Sequence, residues 1–133
     1  MIIDSSAIVA IARGEAEAEP FLTIIKAESD AVMSAGNYLE LGIVIDSDGD
    51  AVLSAGLDPL LHQLAIEIVP VTPTQAKIAR QAYRDFGKGS GHPAKLNFGD
   101  CFAYALAMER GEPLLYKGNN FAHAGLGRVE MKG

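Results

Sequence analysis

The strongest constraint on how this chain can fold lies in three long apolar segments, each with one charged side chain near its middle. The segments are residues 1–12 with Asp4, residues 31–45 with Glu40 and residues 96–108 with Asp100. Segments this apolar are expected to be buried, whereas a buried carboxylate is costly unless a partner neutralises it. No Lys or Arg lies within any of the three segments. The fold must therefore compensate each acid from elsewhere.

A shared pocket is the arrangement that compensates all three acids at once. If the fold gathers them, their mutual repulsion favours a divalent cation that prefers oxygen ligands, and Mg²⁺ or Mn²⁺ is the expected ion. Each acid also has a simpler interpretation. Asp4 and Asp100 could each favour the amino-terminal turn of a helix, and Glu40 could be a half-exposed helix residue. One pocket accounts for all three with a single assumption, so we prefer it.

Length and composition indicate one cytoplasmic domain that spans residues 1–133. A chain of 133 residues with 49% hydrophobic and 21% charged side chains can bury a core of its own, and disorder is not expected. Cys101 is the only cysteine, which excludes an intrachain disulfide and favours an intracellular compartment. The amino terminus lacks the basic region of a signal peptide. No uncharged apolar run reaches the roughly 18 residues that a membrane span needs.

The net charge of −6 conceals an asymmetry between the two parts of the chain. Residues 1–76 carry two basic and twelve acidic side chains, whereas residues 77–133 carry nine basic and five acidic ones. Local field and not total charge steers a polyanion. An acidic protein of this kind can therefore still bind RNA along one basic face.

Short apolar runs alternate along the chain with segments of helical periodicity. The predicted strands are residues 1–3, 31–34, 66–71, 113–116 and, weakly, 129–131. The predicted helices are residues 5–12, 15–29, 37–45, 53–65, 73–86 and 98–110, with loops at 46–50 and 87–95. Strands separated by helices imply an α/β fold, with a mainly parallel sheet of four to five strands and helices on both faces. Ligands gather at the carboxyl ends of such strands, where Asp4 is expected.

Five ordered pieces of the sequence carry a family resemblance. They are IIDSSAIVAI, YLELGIVI, IEIVPVTPTQAKIARQAYRDFGKG, LNFGDCFAYALA and PLLYKGNNFAHAGL. Together they resemble PIN-domain ribonucleases, specifically the VapC-type toxins of bacterial toxin–antitoxin pairs. The opening piece alone is weak evidence for the family, because Asp followed by Ser also caps helices. Five pieces in the same order are specific evidence for it. The resemblance implies a PIN-like three-layer fold and metal-assisted hydrolysis of RNA phosphodiester bonds, with Mg²⁺ or Mn²⁺ as cofactor.

The resemblance also assigns roles to individual residues of this chain. It implies that Asp4, Glu40 and Asp100 are the acidic metal ligands and that Ser6 is a supporting polar residue. The fourth acidic position of the family lies just before the Phe of the GxxF segment, where this chain has Asn120 with Asn119 beside it. One negative charge is therefore missing, which puts a second metal ion in doubt. We expect Asn120 to keep a weaker supporting role.

A stripe of basic residues is the candidate path for RNA. Lys77, Arg80, Arg84 and Lys88 are spaced by three, four and four residues and can share one side of the predicted helix that ends near Phe86. Lys95 follows in the next loop. A solvated helix face is the simpler interpretation of such a stripe. We retain the RNA path as a hypothesis because contacts to phosphates generally position nucleic acid.

The resemblance further implies two protein partners. One is a small VapB-type antitoxin whose carboxy-terminal segment covers the acidic pocket, often with a basic side chain. The apolar helices at residues 7–12 and 21–27 could present a groove to it. The other is a second copy, because toxins of this type commonly form homodimers. No membrane partner is expected.

Two other classes of protein remain as alternatives. One is a PIN scaffold that binds RNA or protein but has lost catalysis, with Asn119 and Asn120 marking the loss. The other is a signalling receiver domain with an acidic Mg²⁺ pocket, in which Lys117 would supply the lysine at a strand end. The receiver is disfavoured because the chain lacks paired acids after the first strand and an Asp that closes a central strand.

Overall fold

The computed structural model describes residues 1–125, which contain four strands and seven helices. The strands are β1 (Ile2–Ile3), β2 (Val32–Ser34), β3 (Glu67–Val69) and β4 (Leu114–Leu115). The helices are α1 (Ser5–Ala12), α2 (Ala18–Ala27), α3 (Ala35–Ser47), α4 (Ala51–Gln63), α5 (Pro73–Phe86), α6 (Phe98–Arg110) and α7 (Asn120–His123). The predicted weak strand at 129–131 lies outside the described residues.

All four strands run parallel, in the order β3-β2-β1-β4. Ile2 of β1 is in register with Val32 of β2 on one side and with Leu114 of β4 on the other. Strands β2 and β3 are therefore added in turn on one side of β1, and β4 is added on the other side of β1. The switch point between β1 and β4 is where an open parallel sheet places its ligand site.

Alternating side chains of the two central strands β1 and β2 and of β4 pack into two cores on opposite faces of the sheet. Ile3 and Leu115 lie in a core formed with α1, α2, α3 and α4, whereas Ile2 and Leu114 lie in a second core formed with α5 and α6. This is the expected consequence of the two-residue period of a strand that is buried on both faces. The three-layer α/β architecture predicted from the sequence is confirmed.

Local capping explains where the observed helices differ from the predicted ones. Helix α3 begins at Ala35 instead of residue 37 because Ser34 caps it by accepting a hydrogen bond from the Gly36 N–H. Helix α4 begins at Ala51 instead of residue 53 because the Asp50 carboxylate accepts from the N–H groups of the next turn. The short helix α7 is absent from the prediction. Within residues 1–125, no helix combines the length and the apolar character needed to cross a membrane.

Helices α5 and α6 pack against each other in opposite directions. The side chain of Gln75, near the start of α5, donates to Glu109, near the end of α6, at 2.9 Å. At the other end, the N–H of Leu96, just before α6, donates to the carbonyl of Phe86 at 2.9 Å. The carboxyl end of α5 therefore lies beside the amino end of α6, which carries Asp100.

Candidate active site

The structure brings the three isolated acids to one open pocket of about 340 Å³ at the carboxyl end of the sheet. Asp4 follows β1 directly, Glu40 lies on α3 and Asp100 lies in the first turn of α6. These residues are far apart in the sequence, and only the fold gathers them. The convergence expected from the apolar segments is therefore present.

Asp4 is buried, with only 2% of its surface exposed, and is the amino-terminal cap of α1. Its Oδ2 accepts a hydrogen bond from the Ser6 N–H at 3.0 Å, whereas its Oδ1 is buried without a hydrogen-bond partner. Burial raises the pKa of Asp4 to about 7, against the two hydrogen bonds from Ser6, and repulsion from Asp100 and Glu40 adds to the rise. An unpartnered oxygen of this kind faces a cost that a bound cation would remove.

Glu40 is held in place by neighbours from three elements. Its Oε1 accepts a hydrogen bond from the Ser5 hydroxyl of α1 and lies 3.5 Å from the side-chain nitrogen of Asn37, one turn earlier on α3. That same nitrogen donates to the Gly99 carbonyl of α6 at 3.0 Å. A methyl group on Gly99 would overlap the Glu40 carboxylate, so a glycine is required there for the acid to occupy its position.

Asp100 combines a structural role with its place in the pocket. It forms a capping box with Asn97: the Asp100 N–H donates to Asn97 Oδ1 at 2.8 Å, and the Asn97 N–H donates to Asp100 Oδ2 at 3.0 Å. Burial raises the pKa of Asp100, although the hydrogen bonds from Asn97 and Asn120 oppose this and repulsion from Glu40 adds to it. The simpler interpretation as a capping acid is therefore correct but incomplete.

The donors suit a hard divalent cation by type and by position. Three carboxylates, one of which has an unpartnered buried oxygen, surround a pocket that water can enter. Across residues 1–125, however, no three His, Cys, Asp or Glu side chains already lie where they could jointly hold one ion. Glu40 is turned toward Ser5, and Asp100 toward its cap. Ion binding at this pocket therefore requires carboxylate rotation or bridging waters.

The remaining residues assigned from the resemblance differ in how closely they approach the pocket. The Ser6 hydroxyl accepts a hydrogen bond from the Lys117 N–H at 3.0 Å, which ties the start of α1 to the segment after β4. The Asn120 side-chain nitrogen lies 3.5 Å from Asp100 Oδ2. Asn119 is exposed, does not line the pocket and makes no side-chain hydrogen bond as the residue before α7.

The five basic residues of the proposed RNA path are all exposed. Lys77, Arg80 and Arg84 border a shallow depression of about 530 Å³ along α5. In the described part of the chain, none of the five forms an ion pair with an acid. Because α5 ends beside the start of α6, the stripe leads toward the end of the molecule that carries Asp100.

Several residues in or beside the pocket were not predicted to belong to the nuclease site. Ser5, Asn37 and Gly99 position Glu40, and Lys117 with Glu15 completes the rim. Asn37 had a usable signal, because it lies three residues before Glu40 and so on the same helix face. The others depend on contacts between distant parts of the chain.

Cys101, beside Asp100, is not part of this chemistry. Its side chain is buried, and burial raises the pKa of its thiol to about 11. A thiol that holds its proton this tightly is a poor nucleophile. Cys101 therefore acts as a small buried apolar side chain.

The apolar residues of α1 and α2, predicted to present a groove to the antitoxin, are divided between the core and the partly exposed surface. Ile8 and Ala10 of α1 and Phe21 and Ile25 of α2 are buried, because these helices turn their apolar faces toward the sheet and toward each other. An apolar depression of about 270 Å³ lies between the end of α1 at Ala12 and one face of α4. Val9, Ile11 and Leu22 on these two helices stay partly exposed, so the groove that the two apolar segments could present remains a prediction.

The raised pKa of Asp4 predicts how the stability of the metal-free protein depends on pH. Its pKa in the folded chain, about 7, lies above the unfolded value of 3.8, so its stabilising contribution is complete below pH 3.8 and is lost as the pH rises through 7. With a chelator present, we expect Asp4→Asn to gain free energy of unfolding relative to wild type between pH 5 and pH 8, on the order of a few kcal/mol. Urea denaturation across this range measures it.

Asp46→Asn, an exposed change on α3, is the matched control and should follow the wild-type pH dependence. Parallel curves for wild type and Asp4→Asn would contradict the prediction.

Comparison with known proteins agrees with this geometry. A family model described as the PIN domain matches residues 1–126. Ribonuclease VapC28 of Mycobacterium tuberculosis is 52% identical over 129 residues, which is 97% of this chain and 97% of that protein.

Two solved structures share the fold at low sequence identity. The crystal structure of Mycobacterium tuberculosis VapC20, described as a sarcin-ricin loop cleaving toxin, aligns with a TM-score of 0.76 at 15% identity and covers 97% of this chain and 98% of that one. A toxin–antitoxin complex from Klebsiella pneumoniae aligns with a TM-score of 0.67 at 15% identity and covers 91% and 89%. The receiver alternative is thereby excluded. The chain belongs to the PIN-domain family and, within it, to the VapC ribonucleases.

Proposed function

We propose that this chain, acting as one PIN domain in the cytoplasm, is a metal-dependent endoribonuclease toxin that hydrolyses RNA phosphodiester bonds. One observation carries the proposal: acids from three separate elements line one pocket, and Asp4 Oδ1 is buried there without a partner. The relatives that are named ribonucleases support RNA as the substrate class. Neutralisation by an antitoxin and dependence on a metal are part of this proposal.

The residues of the pocket would have two roles: some would bind the metal ion, and others would hold the metal-binding side chains in position. Bound Mg²⁺, or Mn²⁺ in its place, would neutralise charge on the scissile phosphate and lower the pKa of the attacking water. Asp4 and Asp100, with Glu40, supply the oxygens for the ion and need not transfer protons themselves. Ser5 and Asn37 keep Glu40 facing the pocket, and Asn97 fixes Asp100 through its cap.

Asn120 is proposed to support Asp100 and not to hold a second ion. Its amide nitrogen lies 3.5 Å from Asp100 Oδ2, at the position where the family carries an acid. An amide adds no negative charge, so the site favours one ion over two. Asn119 is exposed beside Asn120, and we assign it only a minor supporting role in the same segment.

The basic stripe on α5 is proposed as the path along which RNA approaches the pocket. Lys77, Arg80 and Arg84 span about 10 Å of helix, and Lys88 and Lys95 extend the positive surface into the loop before α6. Cations without acidic partners are free to bind phosphates, and such contacts position nucleic acid without reading its sequence.

Two partners complete the proposal. A VapB-type antitoxin would place a basic side chain in the acidic pocket. If the chain purified from its own cells carries a small bound protein that suppresses RNA cleavage, this partner is supported. If the chain purifies alone and cleaves RNA, this partner is contradicted.

A homodimer is proposed as the oligomeric state, and light scattering that gave the mass of a single 14.0 kDa chain would contradict it.

RNA cleavage tests the proposed activity directly. Purified protein should cut total RNA in Mg²⁺ or Mn²⁺ and not with a chelator, and Asp4→Asn or Asp100→Asn should lower the rate by about 100-fold or more, the scale of losing one electrostatic catalytic group. Gel analysis of the products provides the measurement. Asp46→Asn, an exposed acid on the same helix as Glu40, is the control and should cut at the wild-type rate.

The same assay decides between the enzyme and the scaffold that has lost catalysis. Protein that binds RNA but cuts none in either metal would favour the scaffold. Cutting that survives in chelator, or in both carboxylate variants, would contradict the metal pocket.

The missing charge at Asn120 gives a second prediction. Asn120→Asp adds a carboxylate close to Asp100, so we expect tighter binding of Mn²⁺ in calorimetry, because an added anionic oxygen favours the cation. Asn119→Asp is the matched control, because it adds the same charge one residue away from the contact and should change the affinity less. Equal affinities for wild type and Asn120→Asp would argue against a role for Asn120 at the pocket.

Salt dependence tests the RNA path. For the double change Arg80→Ser and Arg84→Ser, weaker RNA binding is expected, with the slope of log affinity against log salt reduced by about 1.4, since each phosphate contact on a single strand contributes about 0.7. Fluorescence anisotropy at several salt concentrations measures the slope. The double change Lys26→Ser and Arg110→Ser, which removes two exposed basic side chains outside the stripe, is the matched control. An unchanged slope in the double variant would exclude Arg80 and Arg84 from the path.

A further inference from the structure

One basic side chain lies at the rim of the acidic pocket. Of the residues that line this described pocket, Lys117 alone is basic. Its backbone N–H donates to the Ser6 hydroxyl at 3.0 Å, so its position beside the start of α1 is fixed. Its side chain is 41% exposed and therefore free to turn. A fixed backbone with a mobile cation suits a group that must reach a ligand in the pocket.

Two carboxylates hold this cation away from the three isolated acids. The Lys117 ammonium lies 3.3 Å from Glu15 Oε2 and 3.1 Å from Glu17 Oε2. Both acids belong to the segment between α1 and α2, and Glu15 itself lines the pocket. Their side chains are 34% and 28% exposed, and ion pairs at such partly exposed positions are weak. The ammonium can therefore leave Glu15 at small cost. Leaving Glu17 costs more, because Glu17 Oε2 is buried and has no hydrogen-bond partner besides this ion pair, and contact of the ammonium with the phosphate must compensate for that cost.

The charge of the pocket creates a need for such a cation. Asp4, Glu40 and Asp100 face an entering phosphodiester with like charge, and a single divalent ion offsets only two of the three charges. A lysine ammonium is a compact charge with three donors on a flexible stem, which suits contact with a phosphate oxygen. Glu15 and Glu17 present carboxylate oxygens to the same ammonium in the absence of RNA.

We propose that Lys117 is the phosphate-binding cation of the pocket and that Glu15 and Glu17 occupy it until the RNA phosphate displaces them. This inference rests on the proposed ribonuclease function and adds a residue to it. Lys117 binds the substrate, and the two glutamates compete with the substrate for Lys117. The cation and the two carboxylates of these ion pairs therefore act on RNA binding in opposite directions.

Because Lys117 and the two glutamates are expected to change RNA binding in opposite directions, variants of each test the proposal. A fluorescent random-sequence oligoribonucleotide pool is the probe, with cleavage followed in Mn²⁺ and binding followed by anisotropy in Ca²⁺. Lys117→Met should raise KM and Kd about tenfold or more, the scale of a lost charged hydrogen bond, and Lys117→Arg should restore most of the loss. The double change Glu15→Gln and Glu17→Gln should lower both constants about two- to fivefold. Lys26→Met, an exposed lysine on α2, is the control.

A further comparison separates competition for Lys117 from a general loss of negative charge. In the Lys117→Met background the two glutamate changes should have a smaller effect, because the cation that they release is absent. Equal effects in both backgrounds would overturn the competition. If the pair only stabilised the fold, both sets of variants would lower the free energy of unfolding and shift KM in the same direction, which would also overturn the proposal.

Failure of the proposed function would give a different result. Wild-type protein that cut no RNA in Mg²⁺ or Mn²⁺ would contradict the ribonuclease activity, yet the anisotropy measurements would still decide the role of Lys117. Cleavage by wild type together with unchanged KM and Kd in Lys117→Met would contradict this inference alone.

Discussion

The burial of the Asp4 carboxylate at the end of strand β1 is the constraint on which the rest of the site depends. The acid is almost fully enclosed, one oxygen accepts the Ser6 N–H and the other has no partner. No cation among residues 1–125 pairs with it directly, so the metal-free pocket holds its proton more tightly than an ordinary aspartate. A fold that keeps such a residue bears a cost in stability, and the proposed cation binding would account for that cost.

The surrounding structure explains why the other acids converge on the same point. Parallel strands bring the ends of β1 and β4 to one edge, and each following segment starts there. Serine and asparagine side chains then join the elements across this edge: Ser5 to Glu40, Asn37 to the Gly99 carbonyl and Ser6 to the Lys117 N–H. The glycine at position 99 leaves the space that Glu40 occupies. Polar contacts between elements therefore hold Glu40 in position. Asp4 is held by the backbone hydrogen bond from its N–H to the Leu115 carbonyl, and Asp100 by its capping box with Asn97.

The sequence was informative wherever the physical cause is local. Apolar runs and capping residues predicted the parallel sheet and most helices, and helices 5–12, 73–86 and 98–110 were predicted with the observed bounds. Isolated charge in apolar surroundings identified Asp4, Glu40 and Asp100 as pocket residues. The contacts of Ser5, Gly99 and Lys117 were missed because each joins residues that are tens of positions apart, and no pattern along the chain encodes them. The antitoxin groove remains a prediction for a related reason, since an apolar helix face shows that something covers it and not whether the cover is the core or a partner.

A crystal grown with Mn²⁺ and examined by anomalous scattering tests the metal pocket most directly. We expect one strong peak in the pocket, about 2 Å from carboxylate oxygens of Asp4 and Asp100, with Glu40 bound to it directly or through water. Asp4 Oδ1, now without a partner, should become a ligand of the ion. A pocket without a peak at saturating Mn²⁺, with Asp4 Oδ1 still unpartnered, would contradict a cation-binding role for these acids.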